Sequence, residues 1–137
     1  MAMKMYAIVR NDIWMDEGKA AAQAGHAFAN VTEASLRYQP DLMDQYRNPS
    51  DMGTKVVLQA SYDEIAEIHE QNKLLKNAAL IYVVVDCGHV FPPHFDGVSR
   101  VMTAVGISPM YEDDASLLLG HLHTFRIKWY KWMYYKF

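Results

Sequence analysis

The sequence predicts an α/β fold in three layers, with a mainly parallel or mixed four-stranded sheet and helices on both of its faces. Four short runs are rich in valine and isoleucine and almost continuously apolar, which is typical of strands buried on both faces. Helical segments separate several of them, and such alternation favours right-handed crossovers and parallel strands. The apolar runs are residues 5–9, 55–60, 80–85 and 101–107.

The first predicted helix lies between the first two strands. Asp16 is suited to be its N-cap, because a short acidic side chain can accept a hydrogen bond from a free N–H of the first turn. Six alanines follow between residues 20 and 29. Because alanine is the best helix former, we expect a helix that continues to about Leu36.

Two further helices are predicted from residues that are typical of helix ends. Ser61 and Glu64 have the spacing of a capping box and begin a helix between the second and third strands. The pair Ser108-Pro109 is expected to begin a helix after the fourth strand, and Gly120 to end it. The polar, turn-rich stretch 38–53 predicts a connection with at most one short helix.

Length and composition exclude several classes of protein. The chain has 137 residues, of which 51% are hydrophobic and 21% charged, as in one soluble globular domain. The longest apolar run, residues 78–85, is far shorter than the roughly 20 residues of a membrane helix. With a single cysteine, Cys87, no internal disulfide can form. We therefore expect a cytoplasmic protein with no membrane partner.

Charge is distributed unevenly along the chain. The net charge is −3, from 13 basic and 16 acidic residues, but residues 126–137 hold four bases and no acid. The rest of the chain therefore has nine bases against 16 acids, a net charge of −7. The tail also contains two tryptophans and three tyrosines, which can stack on nucleotide bases, cover a sheet face or form a homodimer contact. RNA contact and packing both remain open.

Polar residues follow two of the predicted strands. Ligands of open α/β sheets bind beyond the carboxyl ends of the strands, and Arg10 and Asp86 both stand at such ends. On the first helix, polar residues spaced by three or four positions share one face. They are Lys19, Gln23, His26 and Asn30. The simplest interpretation of this row is a solvated helix face.

The residues from Val9 to Ala27 read VRNDIWMDEGKAAAQAGHA. This run resembles the opening signature of the type II peptidyl-tRNA hydrolases, R-x-D-L-x-M-x-x-G-K-x-A-A-Q-x-x-H-A, with Ile13 in place of leucine. The resemblance continues at Asp86-x-Gly88, at residues 104–106 and at residues 120–122. It covers about residues 4 to 125. We therefore expect a peptidyl-tRNA hydrolase-like domain over residues 1–125 and a basic aromatic extension over residues 126–137.

The resemblance implies hydrolysis of the ester that joins a peptide to the terminal ribose of tRNA, without a cofactor. It implies that Lys19 stabilises the oxyanion or holds the terminal phosphate, that Asp86 positions the lysine or the water, and that Gln23 orients substrate or water. His26 can act as a base, because histidine titrates near neutral pH, or can hold the helix on the sheet. The expected substrate-binding residues are Arg10, Asn30, His89, Ser99, Arg126, Lys128 and Lys131.

The sequence departs from the family pattern in one region. Where the family has D-A-G-x-T, Val90 stands in place of the threonine, and valine has no hydroxyl. A later family threonine has no clear match, although Ser99 is a possible substitute. Hydrolysis of peptidyl-tRNA by a possible homodimer is the first hypothesis, and a non-catalytic RNA- or protein-binding relative is the alternative.

A metal site is the weakest of the hypotheses. Cys87, His89 and His94 are residue types that bind zinc, and His121 and His123 lie downstream. Their spacing matches no established zinc motif. We therefore expect loop histidines and no bound metal.

Overall fold

The computed structural model describes residues 2–49, 52–87, 90–91, 95–96 and 99–126. It confirms the α/β fold. The elements, in chain order, are β1 (Met3–Arg10), α1 (Glu17–Tyr38), α2 (Pro40–Tyr46), β2 (Lys55–Ala60), α3 (Tyr62–Asn72), β3 (Ile81–Asp86), β4 (Val90–Phe91), β5 (Phe95–Asp96), β6 (Val101–Tyr111), α4 (Glu112–Leu119) and β7 (His123–Thr124).

Among the described residues, the main sheet has five strands, in the order β3-β6-β1-β2-β7, where the sequence predicts four. It is mixed: β1 and β2 pair in parallel, while β6 is antiparallel to both β1 and β3, and β7 is antiparallel to β2. Where it is described, the stretch between β3 and β6 contains the paired strands β4 and β5 and not a crossover helix. Strand β6 therefore returns beside β3 in the opposite direction. Strands β1, β2 and β3 still point the same way, so their carboxyl ends lie at one edge.

The predicted three layers are confirmed by apolar clusters on both faces of the sheet. On one face of the sheet, the alanines of α1 pack against small residues of β1 and β6, including Ala7 and Ala104. On the other face, Ile65 and Ile68 of α3 and Leu118 and Leu119 of α4 pack against larger side chains such as Ile8. The small side chains on the first face allow α1 to approach the sheet closely.

Gly106 of β6 marks the closest approach. A Cβ atom at this position would lie 2.3 Å from the carbonyl oxygen of Ala27 on α1. Any side chain would therefore push the helix backbone away from the sheet. This contact holds the polar row of α1 beside β6 and β3.

The predicted helix starts agree with the structure at two places. The Asp16 carboxylate accepts a hydrogen bond from the Lys19 N–H at 2.7 Å and caps α1. Ser61 and Glu64 form the expected capping box of α3. The turn-rich connection contains one short helix, α2, as predicted.

The prediction of a helix from Ser108-Pro109 is wrong. Strand β6 continues through both residues to Tyr111, and α4 begins at Glu112. The register of β6 on β1 shifts between Lys4 and Tyr6, which leaves one extra residue on β6. Proline is tolerated at such a bulge, because the ladder does not use its missing N–H.

The expectation that all the apolar strands are buried on both faces is also wrong for β3. This strand stands at the edge of the sheet. Tyr82 is 43% exposed, and Val83 and Val85 are each 47% exposed. An apolar run predicts a strand but does not say whether a neighbour covers it.

In the described part of the chain, no helix is both long enough and apolar enough to cross a bilayer.

Candidate active site

A cleft of about 470 Å³ lies between the polar row of α1 and strand β3. The helix contributes Gln23, His26 and Asn30, and the strand contributes residues 82–86. The cleft begins at the sheet edge where β1 and β3 end. The polar face of α1 is thus one wall of a cavity as well as a solvated surface.

Lys19 and Asp86 form an ion pair at this end of the cleft. Lys19 belongs to the first turn of α1, and Asp86 is the last residue of β3, so two elements far apart in sequence bring the charges together. The Lys19 Nζ donates a hydrogen bond to Oδ2 of Asp86. The side chains are 15% and 17% exposed. The carboxylate holds the ammonium group in place while part of each group still faces solvent.

Gln23 lies one turn further along α1 and is fixed from below by Thr103 of β6. The Thr103 hydroxyl donates a hydrogen bond of 2.7 Å to Oε1 of Gln23. Both side chains are buried, at 0% and 7% exposure. With Oε1 engaged, the NH₂ group of Gln23 is what this side chain can offer to a molecule in the cleft.

Sequence reasoning missed Thr103. The residue stands just before Ala104-Val105-Gly106, where the family resemblance continues, and it supplies a hydroxyl that the sequence analysis assigns only to Ser99. A signal was available, because a threonine in an otherwise apolar strand needs a hydrogen-bond partner when it is buried.

His26 and Asn30 line the cleft beyond Gln23. His26 is exposed, and Asn30 is half-buried. The structure therefore brings together Lys19, Gln23, His26 and Asn30 with Asp86, as the spacing and the resemblance predict. The chemical role of each residue stays a prediction.

Arg10 lies at the same edge of the sheet, but its donors are directed to the protein itself. Its Nε and Nη2 donate to the two carboxylate oxygens of Asp12, at 2.8 and 3.0 Å. Nη1 donates to the main-chain oxygen of Met102 at 3.1 Å. The hydrogen bonds from Arg10 hold the pKa of Asp12 below its ordinary value. Substrate binding by Arg10 stays a prediction, and the side chain already links β1 to β6.

The other predicted binding residues lie outside this cleft or outside the described residues. Ser99 and Arg126 are exposed and do not line the cleft. His89, Lys128 and Lys131 are not among the described residues, and neither is His94. Cys87 is exposed at the end of β3. Within the described part of the chain, no three potential metal ligands are grouped together.

A family model described as "Peptidyl-tRNA hydrolase PTH2" matches residues 3–125 of the chain. The match includes α1, β3, β6 and every residue of the cleft.

The chain belongs to the peptidyl-tRNA hydrolase PTH2 family.

Relatives within this family differ in how much of their length the chain covers. The chain is similar to the peptidyl-tRNA hydrolase of Methanocaldococcus jannaschii, with 30% identity over 88% of the chain and 97% of the relative. It is 32% identical to the peptidyl-tRNA hydrolase of Methanothermobacter thermautotrophicus, over 88% of the chain and 97% of the relative. The mitochondrial peptidyl-tRNA hydrolase 2 of Bos taurus is 30% identical over 89% of the chain, which spans 64% of that relative.

Proposed function

We propose that this chain hydrolyses the ester bond between a peptide, or an N-blocked amino acid, and the terminal ribose of tRNA, and so releases free tRNA. Two archaeal relatives that it matches over almost their whole length are named peptidyl-tRNA hydrolases. The observation with the most weight is the Lys19–Asp86 ion pair at the end of the cleft. The alternative of a non-catalytic binding module gains no support from these relatives.

The reaction needs three groups: an attacking water, a base and positive charge for the oxyanion. The water oxygen bonds to the ester carbonyl carbon, and the carbonyl electron pair moves to its oxygen. The Lys19 ammonium group stabilises that negative charge, which is usually the largest single contribution to such catalysis. The intermediate collapses by breaking the bond to the ribose oxygen, which takes up a proton. The products are a peptide carboxylate and a tRNA with a free ribose hydroxyl.

His26 and Gln23 complete this proposal. Neutral imidazole can accept the proton of the attacking water, and His26 is exposed on the cleft wall where water can reach it. The NH₂ group of Gln23 can orient the water or the ester, because Thr103 fixes the opposite end of the amide. Asp86 maintains the position of the Lys19 ammonium.

Binding of tRNA is proposed to use the basic tail. A body with net charge −7 repels phosphates, and Arg126, Lys128 and Lys131 belong to the densest basic segment. Truncation after Phe125 should weaken tRNA binding and flatten its salt dependence, because each lost phosphate contact reduces the slope by about 0.7 to 0.9. If the tail packs on the fold instead, the truncated protein should have a lower melting temperature or the mass of a monomer, with an unchanged salt slope.

We also propose a homodimer and a cytoplasmic location.

The direct experiment uses an aminoacyl-tRNA blocked by an N-acetyl group. Purified protein should release the labelled N-acetylamino acid with multiple turnovers. Binding of this substrate without release, at enzyme concentrations far above those of tRNA, would favour the non-catalytic alternative.

A further inference from the structure

A second hollow extends the cleft along α1. It has a volume of about 210 Å³ and shares Asn30 and Tyr82 with the first. Its other lining includes Glu33 and Arg37. The polar face of α1 from Lys19 to Arg37 spans about 27 Å at the helical rise of 1.5 Å per residue. The two hollows therefore form one groove that leads away from the Lys19–Asp86 pair.

The opposite wall of the groove is strand β3, and no described strand pairs with its outer edge. Among the described strands, β6 is the neighbour of β3, and it lies on one side only. The Ser108 N–H donates to the Leu80 oxygen at 2.9 Å, which fixes the phase of the ladder between the two strands. Hydrogen-bonded pairs alternate along an antiparallel ladder. Ile81 and Val83 therefore direct their N–H and C=O groups away from β6, at the outer edge of the strand.

The charge of the groove distinguishes between the two parts of a peptidyl-tRNA. Lys19 is paired with Asp86, and Glu33 offsets Arg37, so these charged residues sum to zero. A phosphodiester chain requires a surplus of basic residues. A groove with balanced charges, beside a strand edge that no other described strand pairs with, suits a peptide better.

We propose that this groove binds the peptide part of the substrate as an extended strand added to the outer edge of β3. The inference rests on the function proposed above. The ester carbonyl lies at Lys19 and Asp86, at the carboxyl end of β3. The N-terminal end of the peptide therefore lies towards Ile81, and the peptide chain runs parallel to β3. Recognition through main-chain hydrogen bonds depends little on side chains, so one groove can accept peptides of many sequences.

The first test uses the wild-type protein and two substrates, N-acetyl-aminoacyl-tRNA and an N-acetyl-tetrapeptidyl-tRNA. We expect a kcat/KM roughly tenfold higher for the longer peptide, since one or two added hydrogen bonds give this factor. N-methylation of one peptide amide at a time should remove this gain in kcat/KM at every second position and leave it unchanged at the positions between them. Equal rates for both substrates, or a uniform effect of methylation, would overturn the inference and leave the proposed hydrolysis intact.

The second test changes the strand edge. Val83→Pro removes an outward N–H that β6 does not use, and proline is tolerated at strand edges. It should reduce the kcat/KM ratio of long to short substrate to near one. Val83→Ala keeps the N–H and should retain the ratio. Thermal melting shows whether both variants fold. If Val83→Pro does not fold, the methylated substrates with the wild-type protein still test the inference.

Two other outcomes have distinct meanings. A halving of the mass in solution on Val83→Pro, without any change in the length ratio, would assign the edge to a second copy of the chain and overturn the inference. Absence of hydrolysis of either substrate by the wild-type protein would overturn the proposed function and the peptide groove together.

Discussion

Two ion pairs lie at the same edge of the sheet and differ in what surrounds them. The Arg10 guanidinium contacts both oxygens of Asp12, and its remaining donor group reaches the main chain of β6. Lys19 contacts one oxygen of Asp86, and the pair stands at the end of the cleft. The first pair is occupied with the protein itself, whereas the second has room for another molecule.

The position of Asp12 strengthens this contrast. One of its carboxylate oxygens accepts a hydrogen bond from the Tyr62 N–H at 3.2 Å, at the start of α3. The Arg10 guanidinium also lies 5.2 Å from the centre of the Tyr62 ring. This pair thus joins β1, β6 and α3. Both pairs match the family pattern, but their surroundings differ: one holds the sheet edge together and the other lies at the end of the cleft.

The largest expected effect is at the cleft. Lys19→Ala and Asp86→Ala should each reduce turnover of N-acetyl-aminoacyl-tRNA by roughly a hundredfold or more, because each removes charge that stabilises or positions the oxyanion. Each variant leaves a mostly buried charge without this ion-pair partner, so melting temperatures are measured beside turnover to show that both variants remain folded. Turnover close to that of the wild type in both variants would remove these residues from the site.

A smaller effect is expected one layer below the cleft. Thr103→Val keeps the shape of the side chain and removes the hydroxyl that holds Gln23. The loss of this buried hydrogen bond should cost about 1 to 3 kcal/mol of stability and reduce kcat roughly tenfold. Thr103→Ser restores the hydroxyl and should recover most of the rate. If serine and valine variants have the same kcat, Thr103 does not position Gln23.

The smallest effect, a change in stability that depends on pH, is expected at the Arg10–Asp12 pair. Because Arg10 lowers the pKa of Asp12, the carboxylate stabilises the fold above its unfolded pKa, near 3.9. This contribution is lost as the pH falls through the lower pKa of the folded state. Asp12→Asn should therefore reduce the free energy of unfolding at pH 6 by about 1 kcal/mol or less. The difference from the wild type should disappear once the pH lies below the lowered pKa of Asp12 in the folded state, and a constant difference would contradict this assignment.

Local signals in the sequence predict local structure well here. Asp16 and Ser61 mark the starts of α1 and α3, because the capping partners lie only three residues away. The lysine-to-aspartate pair follows from the resemblance, which gives both residues together. The prediction of a helix at Pro109 is wrong, because a bulge in the β6 ladder accommodates the proline inside a strand.

Contacts between distant segments are what the sequence does not predict. The Thr103–Gln23 hydrogen bond depends on the lateral position of α1 over β6, which the Gly106–Ala27 contact determines. The edge position of β3 depends on the order of the strands, and the hydrophobic pattern contains no information about that order. The groove beside β3 could therefore be recognised only in the folded structure.

The most direct test compares the same substitution at the two aspartates. Single-turnover hydrolysis of N-acetyl-aminoacyl-tRNA is measured for Asp86→Asn and Asp12→Asn beside the wild type, at neutral pH and well below the melting temperatures. We expect Asp86→Asn to lose roughly a hundredfold in rate and Asp12→Asn to stay within a factor of about two or three, because the Asp12 carboxylate is held by Arg10 and the Tyr62 N–H and does not line the cleft. A larger loss at Asp12 than at Asp86 would contradict the division of the two ion pairs into a structural and a substrate-facing one.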